Sequence, residues 1–138
     1  MTSEEPQPAG PPPQVRAAGV MVGVEALLGL AFAVALVIGA IGADRPGALL
    51  GEAAYFLIIG AALVAVAVGL VIGRRWARTP AIVTQLLLLP VVYSLIGPSH
   101  QLVLGIVAGV FVGGTFMLLI SERARMWSMG LDLPDARR

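Results

Sequence analysis

The sequence contains no cysteine and no lysine, and it has one histidine among its 138 residues. The absence of cysteine excludes disulfides, thiol catalysis, thiolate metal sites and palmitoylation. The histidine, His100, has no acidic, histidine or cysteine neighbours and does not make a metal site. Ser94 and Tyr93 have no companion base, so nucleophilic catalysis is unsupported. We therefore expect neither an enzyme nor a bound cofactor.

Charge is also scarce. Charged residues make up 12% of the chain, whereas soluble domains carry about 25%. Hydrophobic residues make up 58%, and the mean hydropathy is +0.92. A chain of this length has no core large enough to hide so many apolar side chains from water. Lipid is therefore expected to surround much of the chain. Nucleic-acid binding has no support, because the sequence has no basic patch interleaved with aromatic residues.

Four long apolar runs occupy the middle of the chain. A bilayer core about 30 Å thick is crossed by about 20 helical residues. The sequence predicts four such helices, at about residues 20–42, 53–72, 79–96 and 102–120. Backbone amides in lipid must be satisfied within their own segment, so each run is expected to be α-helical. The predicted fold is an all-α polytopic membrane protein, with a bundle of four transmembrane helices formed by residues 17–120.

The two ends of the chain differ from this middle part. Residues 1–16 hold five of the ten prolines and no aromatic residue, so we expect a disordered, Pro-rich cytoplasmic tail. The first apolar run is longer than the core of a signal peptide and is interpreted as a retained anchor. Residues 121–138 form a second cytoplasmic tail. Within it, residues 121–130 are either a short helix along the inner membrane surface or plain tail.

Arginine placement predicts the orientation, because cytoplasmic flanks retain basic residues. Eight of the nine arginines fall on the side that holds the two tails and the 73–78 loop, and Arg45 alone falls on the other side. Both termini are therefore predicted to be cytoplasmic, in a multi-pass protein of the plasma membrane. The residues predicted to anchor this face at headgroup level are Arg74, Arg75, Trp76, Arg78, Arg123, Arg125 and Trp127.

Small residues at every fourth position predict where helices approach each other closely in lipid. The first predicted helix has such a row at Ala31, Ala35, Gly39 and Ala43. These rows are interpreted as packing within the chain's own bundle, and the alternative is contact with a second copy or with another membrane protein. The principal small residues are Gly105, Gly109 and Gly113 in the fourth predicted helix and Ala61, Ala65 and Gly69 in the second.

Glu25 is the ionisable residue inside a predicted span, and Gln85 lies at a comparable depth in the third. A charge at the bilayer centre costs about 2.5–3.5 kcal/mol, so intramembrane acids usually face protein or water. Counted from Val22, Glu25 lies about one helical turn below the cytoplasmic surface. There it snorkels, pairs with an arginine of the 73–78 loop, or hydrogen-bonds Gln85. Its interpretations are a structural pair, a proton- or cation-linked site, or a contact with a partner.

Residues 73–95, GRRWARTPAIVTQLLLLPVVYSL, resemble a segment of small four-helix integral membrane proteins of actinobacteria that are described as conserved membrane proteins. The likeness is carried by the Arg-Arg-Trp-Ala-Arg-Thr-Pro start of a third helix that contains a glutamine and a proline. It extends over residues 17–125 and omits both tails. The resemblance implies the four-helix layout, and it implies no activity, substrate or cofactor.

These observations favour a non-enzymatic accessory or structural membrane protein that acts through helix–helix contacts. The alternative is a small proton- or cation-coupled transporter that uses Glu25, because a four-helix chain with a glutamate in its first helix resembles the small multidrug resistance exporters. Two features depart from that family. Glu25 lies nearer to the interface than a midplane coupling site, and the arginine bias fits one fixed orientation.

Overall fold

The computed structural model describes residues 10–98 and 100–131. This part of the chain is helical and contains no strand. The elements are α1 (Pro13–Ala40), α2 (Pro46–Ile72), the 3-10 turn η1 (Arg75–Ala77), α3 (Arg78–Ile96), α4 (Leu102–Ile120) and α5 (Glu122–Ser128). The helices α1 to α4, with η1 continuing into α3, are long and apolar enough to cross a membrane. The predicted all-α fold with four membrane helices is confirmed.

The first two helices begin seven residues earlier than the sequence predicted. α1 starts at Pro13 and α2 at Pro46, because proline in the first turn of a helix loses no hydrogen bond and has a suitable φ. Residues 13–16 are therefore helical, which corrects that part of the disordered tail predicted over residues 1–16. Residues 1–9 lie outside the described part of the chain. In α1 and α2, the apolar run therefore covers only part of the helix.

α1 and α2 pack as an antiparallel hairpin through small residues spaced seven apart. A Cβ added to Gly60 would lie 2.7 Å from Leu30 and 3.5 Å from the carbonyl oxygen of Ala26, so the two backbones approach closely. A seven-residue repeat keeps one seam of two helices in contact as they coil. The buried small residues of this seam are Gly19, Ala26, Ala33 and Ala40 in α1 and Ala53, Gly60 and Ala67 in α2.

The four-residue rows predicted for α1 and α2 are mostly outside this seam. Ala61 and Ala65 are exposed on the surface of the chain, which corrects their assignment to packing within the bundle. Gly69 is buried as predicted, and a Cβ there would lie 2.8 Å from Ala77 of η1. The physical reason is the period of the contact. Two coiled helices meet every seven residues, so a row of residues spaced four apart gradually rotates away from the partner helix.

In the glycine row of α4, the two glycines nearest the start of the helix pack against α3. Gly105 is buried against Ile96 of α3, and a Cβ on Gly109 would lie 3.2 Å from Val92 of the same helix. Gly113 has no such neighbour within 4 Å. The first two glycines therefore pack within the chain's own α3–α4 hairpin, and Gly113 does not.

The main core lies at the end of the bundle where α1 and α3 begin and where α2 and α4 end. We call it the basal core, and it draws on α1 to α4, η1 and α5. Because both the start of α1 and the end of α4 contribute to it, residues near both ends of the described chain lie together. Its buried members are Val15, Ala18, Val22, Val66, Ala67, Leu70, Ala77, Ala81, Leu119, Ala124 and Trp127.

α5 closes the basal core. The helix begins after Ser121, whose side chain accepts a hydrogen bond from the Ala124 N–H at 3.3 Å and donates one to the Leu118 carbonyl at 2.8 Å. Serine is a favoured residue at this capping position. Ala124 and Trp127 then point into the core. Of the two alternatives for residues 121–130, the structure has the short helix, over Glu122–Ser128.

The connection from α2 to α3 is compact and brings the 73–78 arginines to the basal core. Gly73 ends α2 with a φ of 88°, in the left-handed region that glycine adopts without strain. The Arg74 N–H returns to the Gly69 carbonyl at 2.6 Å, which completes the usual C-terminal cap. This turn presses Ala77 against α2 and sets the direction of α3.

Candidate functional site

The candidate site lies next to the basal core, between α1 and α3. Glu25 follows Val22 by one helical turn, and Gln85 follows Ala81 by one turn. Val22 and Ala81 are both fully buried members of the core. Because side chains three or four residues apart share a face of a helix, the core holds Glu25 and Gln85 toward each other.

The structure gives the distance of the site from the arginines at the basal end of the bundle. α1 begins at Pro13, so Glu25 lies nine residues beyond Arg16, or about 13 Å along the helix axis. Gln85 lies seven residues beyond Arg78, or about 10 Å. Glu25 and Gln85 therefore lie at similar distances along their helices from the arginines of the basal end.

Glu25 and Gln85 are joined by a hydrogen bond between α1 and α3. The Gln85 Nε2 donates to Glu25 Oε2 at 2.8 Å. Gln85 is fully buried and Glu25 is half-buried. Among the partners considered from the sequence, the structure thus brings Gln85 to the carboxyl group and directs Arg78 elsewhere.

Each partner keeps one polar atom without a hydrogen bond. Glu25 Oε1 and Gln85 Oε1 are both buried and have no donor among the described residues. A buried acceptor that is left unsatisfied costs about 1–3 kcal/mol. The pair therefore has two acceptor atoms that a further hydrogen-bond donor or a cation would satisfy.

The hydroxyl groups of Thr84 in α3 and Thr115 in α4 do not supply that donor. Thr115 of α4 is fully buried, and its hydroxyl donates to the Phe111 carbonyl of its own helix at 2.9 Å. The Thr84 hydroxyl likewise donates to the Pro80 carbonyl at 2.8 Å. Each hydroxyl has a single proton to donate. Both protons are used within their own helices.

Arg78 ties α3 to the end of α4 and to α5. Its Nε donates to the Leu119 carbonyl at 2.9 Å, and one terminal guanidinium nitrogen donates to the Ser128 hydroxyl at 3.3 Å. The sequence did not predict this contact, because the acceptor is a backbone carbonyl, which every residue has. The available signal was that arginines satisfy the last carbonyls of helices.

The other predicted anchors are divided between surface and core. Arg74, Arg75, Arg123 and Arg125 are exposed, and Trp76 is 58% exposed. Trp127 is only 2% exposed and belongs to the basal core, which corrects its prediction as a ring at the headgroup surface. The reason is that α5 packs across the end of the bundle with its apolar side inward.

Metal ligands do not gather at this site. Across residues 10–98 and 100–131 there is no group of three or more histidine, cysteine, aspartate or glutamate side chains that could hold a metal ion. The polar chemistry at the site is therefore one carboxyl group and one amide. Comparison with protein-family models, with curated proteins and with solved structures gives no match.

Proposed function

We propose that this chain is a non-enzymatic integral membrane protein of the plasma membrane, an accessory subunit that acts through contacts between its helices and those of another membrane protein or a second copy. The observation that carries the proposal is the set of small residues left uncovered on the outside of the α1–α2 hairpin. Ala31, Ala35 and Gly39 of α1 and Ala61 and Ala65 of α2 are exposed.

Exposed small residues matter in lipid for a specific reason. Helices gain little from hydrophobicity when they associate in a bilayer, so close backbone approach supplies much of the attraction. The hairpin already satisfies its own packing through the seam of residues spaced seven apart. Its outer rows of small residues are then available for a helix of a partner.

The proposed orientation places both termini in the cytoplasm. Support comes from the arginines of the described residues, of which six lie at the end of the basal core and Arg45 alone lies at the other end. Fluorescent and phosphatase reporters fused at each end test it. We expect fluorescence at both ends and phosphatase activity at neither, and reporters that respond on opposite sides would contradict the orientation.

The accessory role is tested by purification from native membranes in a mild detergent. We expect a stoichiometric partner or a dimer. Ala61→Leu and Ala65→Leu should each abolish this association, because the larger side chains keep a second helix away. Leu104→Ala is the matched control, since Leu104 is an exposed large residue of α4. A monomer that purifies alone, or equal loss of association in all three variants, would contradict the proposal.

A second candidate function is favoured by the Glu25–Gln85 pair. A carboxyl group within the apolar helices is suited to take up and release a proton or a small cation, since its Oε1 and the Oε1 of Gln85 are both buried acceptors without a hydrogen bond. On this proposal the chain is a small proton- or cation-coupled transporter.

The transporter proposal is tested by proton flux and toxic-cation uptake in proteoliposomes. We expect flux that Glu25→Gln abolishes and that Glu52→Gln leaves unchanged, because Glu52 is exposed near the opposite end of the bundle. Flux that is absent, or that survives Glu25→Gln, removes this candidate and leaves the accessory role standing.

A further inference from the structure

The two buried oxygens without donors at the site, Glu25 Oε1 and Gln85 Oε1, point to the protonation state of the carboxyl group. A primary amide and a carboxylic acid each have a donor and an acceptor on neighbouring atoms of a planar group when the acid is protonated. The two groups then form a closed ring of two hydrogen bonds. One of these bonds, from Gln85 Nε2 to Glu25 Oε2, is present at 2.8 Å. The atoms required for the second, Glu25 Oε1 and Gln85 Oε1, are the two buried oxygens that lack a donor.

We propose that Glu25 binds a proton at Oε1 in the resting protein and donates it to Gln85 Oε1, so that the two side chains form a neutral acid–amide ring between α1 and α3. A single proton satisfies both oxygens at once. It also removes the charge from a carboxyl group that lies among apolar helices. This inference does not depend on whether the chain is an accessory subunit or a transporter.

The charged groups around the site support the neutral form. On α3, Arg78 uses its guanidinium on the Leu119 carbonyl and the Ser128 hydroxyl. On α1, Arg16 lies nine residues before Glu25. α4 carries no ionisable residue, and those of α2, Glu52 and Tyr55, lie toward its opposite end. Within the described residues, no cation contacts the carboxyl group. A buried carboxylate without a cation is costly, and it is neutralised most simply by a proton.

The proposal predicts how substitutions at the pair differ. Glu25→Gln places a second amide opposite Gln85, and two amides form the same ring with two N–H donors. We expect its melting temperature to stay within about 3 °C of the wild type. Glu25→Ala and Gln85→Leu each leave one buried polar group without a partner, and both are expected to melt clearly lower. Failure of Glu25→Gln to fold would contradict the proposal, because the proposal makes it a neutral isostere.

Infrared spectroscopy of the full-length protein in lipid vesicles at neutral pH tests the protonation directly. We expect a C=O band of a protonated carboxylic acid that shifts on exchange into heavy water. The band should disappear in Glu25→Gln and persist in the matched control, Glu52→Gln. In Gln85→Leu, it should move to higher frequency, because the carbonyl then loses the Gln85 donor.

Two results would overturn the proposal. One is a wild-type spectrum that shows only carboxylate for Glu25 at neutral pH. The other is a melting temperature that rises with added sodium chloride but not with choline chloride, and that loses this dependence in Glu25→Gln. The second result would place a sodium ion between the two oxygens instead of a proton. Stability that is independent of both salts, together with the acid band, supports the proton.

Discussion

Arg78 reaches from the start of α3 to the end of α4, where its Nε donates to the Leu119 carbonyl at 2.9 Å. The last carbonyls of a helix lack partners within the helix, and a cation there also interacts favourably with the helix dipole. The same guanidinium contacts Ser128 of α5 at 3.3 Å. One side chain therefore fixes the position of α5 under the bundle.

Removing this side chain is expected to loosen α5 while leaving the membrane helices in place. Hydrogen bonds that involve a charged group contribute about 1.5–3 kcal/mol. In Arg78→Ala, the amides of α5 should therefore exchange with solvent roughly 10- to 100-fold faster, as measured by hydrogen–deuterium exchange with mass spectrometry. The control is Arg123→Ala, an exposed arginine on α5 itself. Equal acceleration in the two variants would contradict a specific role for Arg78.

The two tryptophans are expected to differ sharply in their contribution to stability. Trp127 is 2% exposed within the basal core, whereas Trp76 is 58% exposed. Replacing a buried tryptophan by alanine costs about 3–5 kcal/mol. Trp127→Ala should lower the free energy of unfolding by about that amount, and Trp76→Ala by less than about 1 kcal/mol. Thermal unfolding in detergent distinguishes them, and a larger loss from Trp76→Ala would show that α5 is not docked.

The seam between α1 and α2 is expected to reject larger residues at Gly60. A Cβ added there would lie only 2.7 Å from Leu30, so Gly60→Leu should destabilise the hairpin by about 1–3 kcal/mol through overpacking. Gly51→Leu is the control in the same helix, because Gly51 faces open space. Both substitutions improve helix propensity, so the difference between them reports the packing alone. Equal stability of the two variants would mean that the seam is not tightly packed.

The glycine row of α4 is expected to divide into two kinds of position. Gly105→Leu should destabilise the α3–α4 hairpin, because Ile96 occupies the space beside Gly105. Gly113→Leu should leave the melting temperature within about 3 °C of the wild type, since no neighbour lies within 4 Å. The measurement is thermal unfolding of both purified variants. A strong loss of stability from Gly113→Leu alone would contradict the arrangement of α4.

The membrane helices were predictable because hydrocarbon selects their length and composition, and the residues of α4 match the predicted range. Their starts were less predictable. Pro13 and Pro46 are compatible with a loop or with a first helical turn, and only packing of the following residues decides between them. The seven-residue period of the α1–α2 contact could not be read from the sequence either, because Gly and Ala are frequent enough to form rows of several spacings. The exposed Ala61 and the buried Gly60 are adjacent in sequence, and both are small residues.

The candidate site was predictable in its members and not in its geometry. Glu25 and Gln85 stand out as polar residues in apolar helices, and equal depth made a hydrogen bond between them one of several alternatives. Selecting that bond required the position of Arg78, whose partner is a backbone carbonyl. The two oxygens that lack donors depend on rotamers and neighbouring side chains, which no residue pattern contains.

The seam of small residues spaced seven apart has a consequence for how the protein is made. Its contacts join two helices that are neighbours along the chain, separated by a short turn at residues 41–45. Such contacts close quickly, because little chain entropy is lost in bringing the two segments together. The first hairpin can therefore assemble in the bilayer while α3 and α4 are still being synthesised. α3 and α4 then pack onto the surface of the α1–α2 hairpin, where Glu25 is already positioned to accept the hydrogen bond from Gln85.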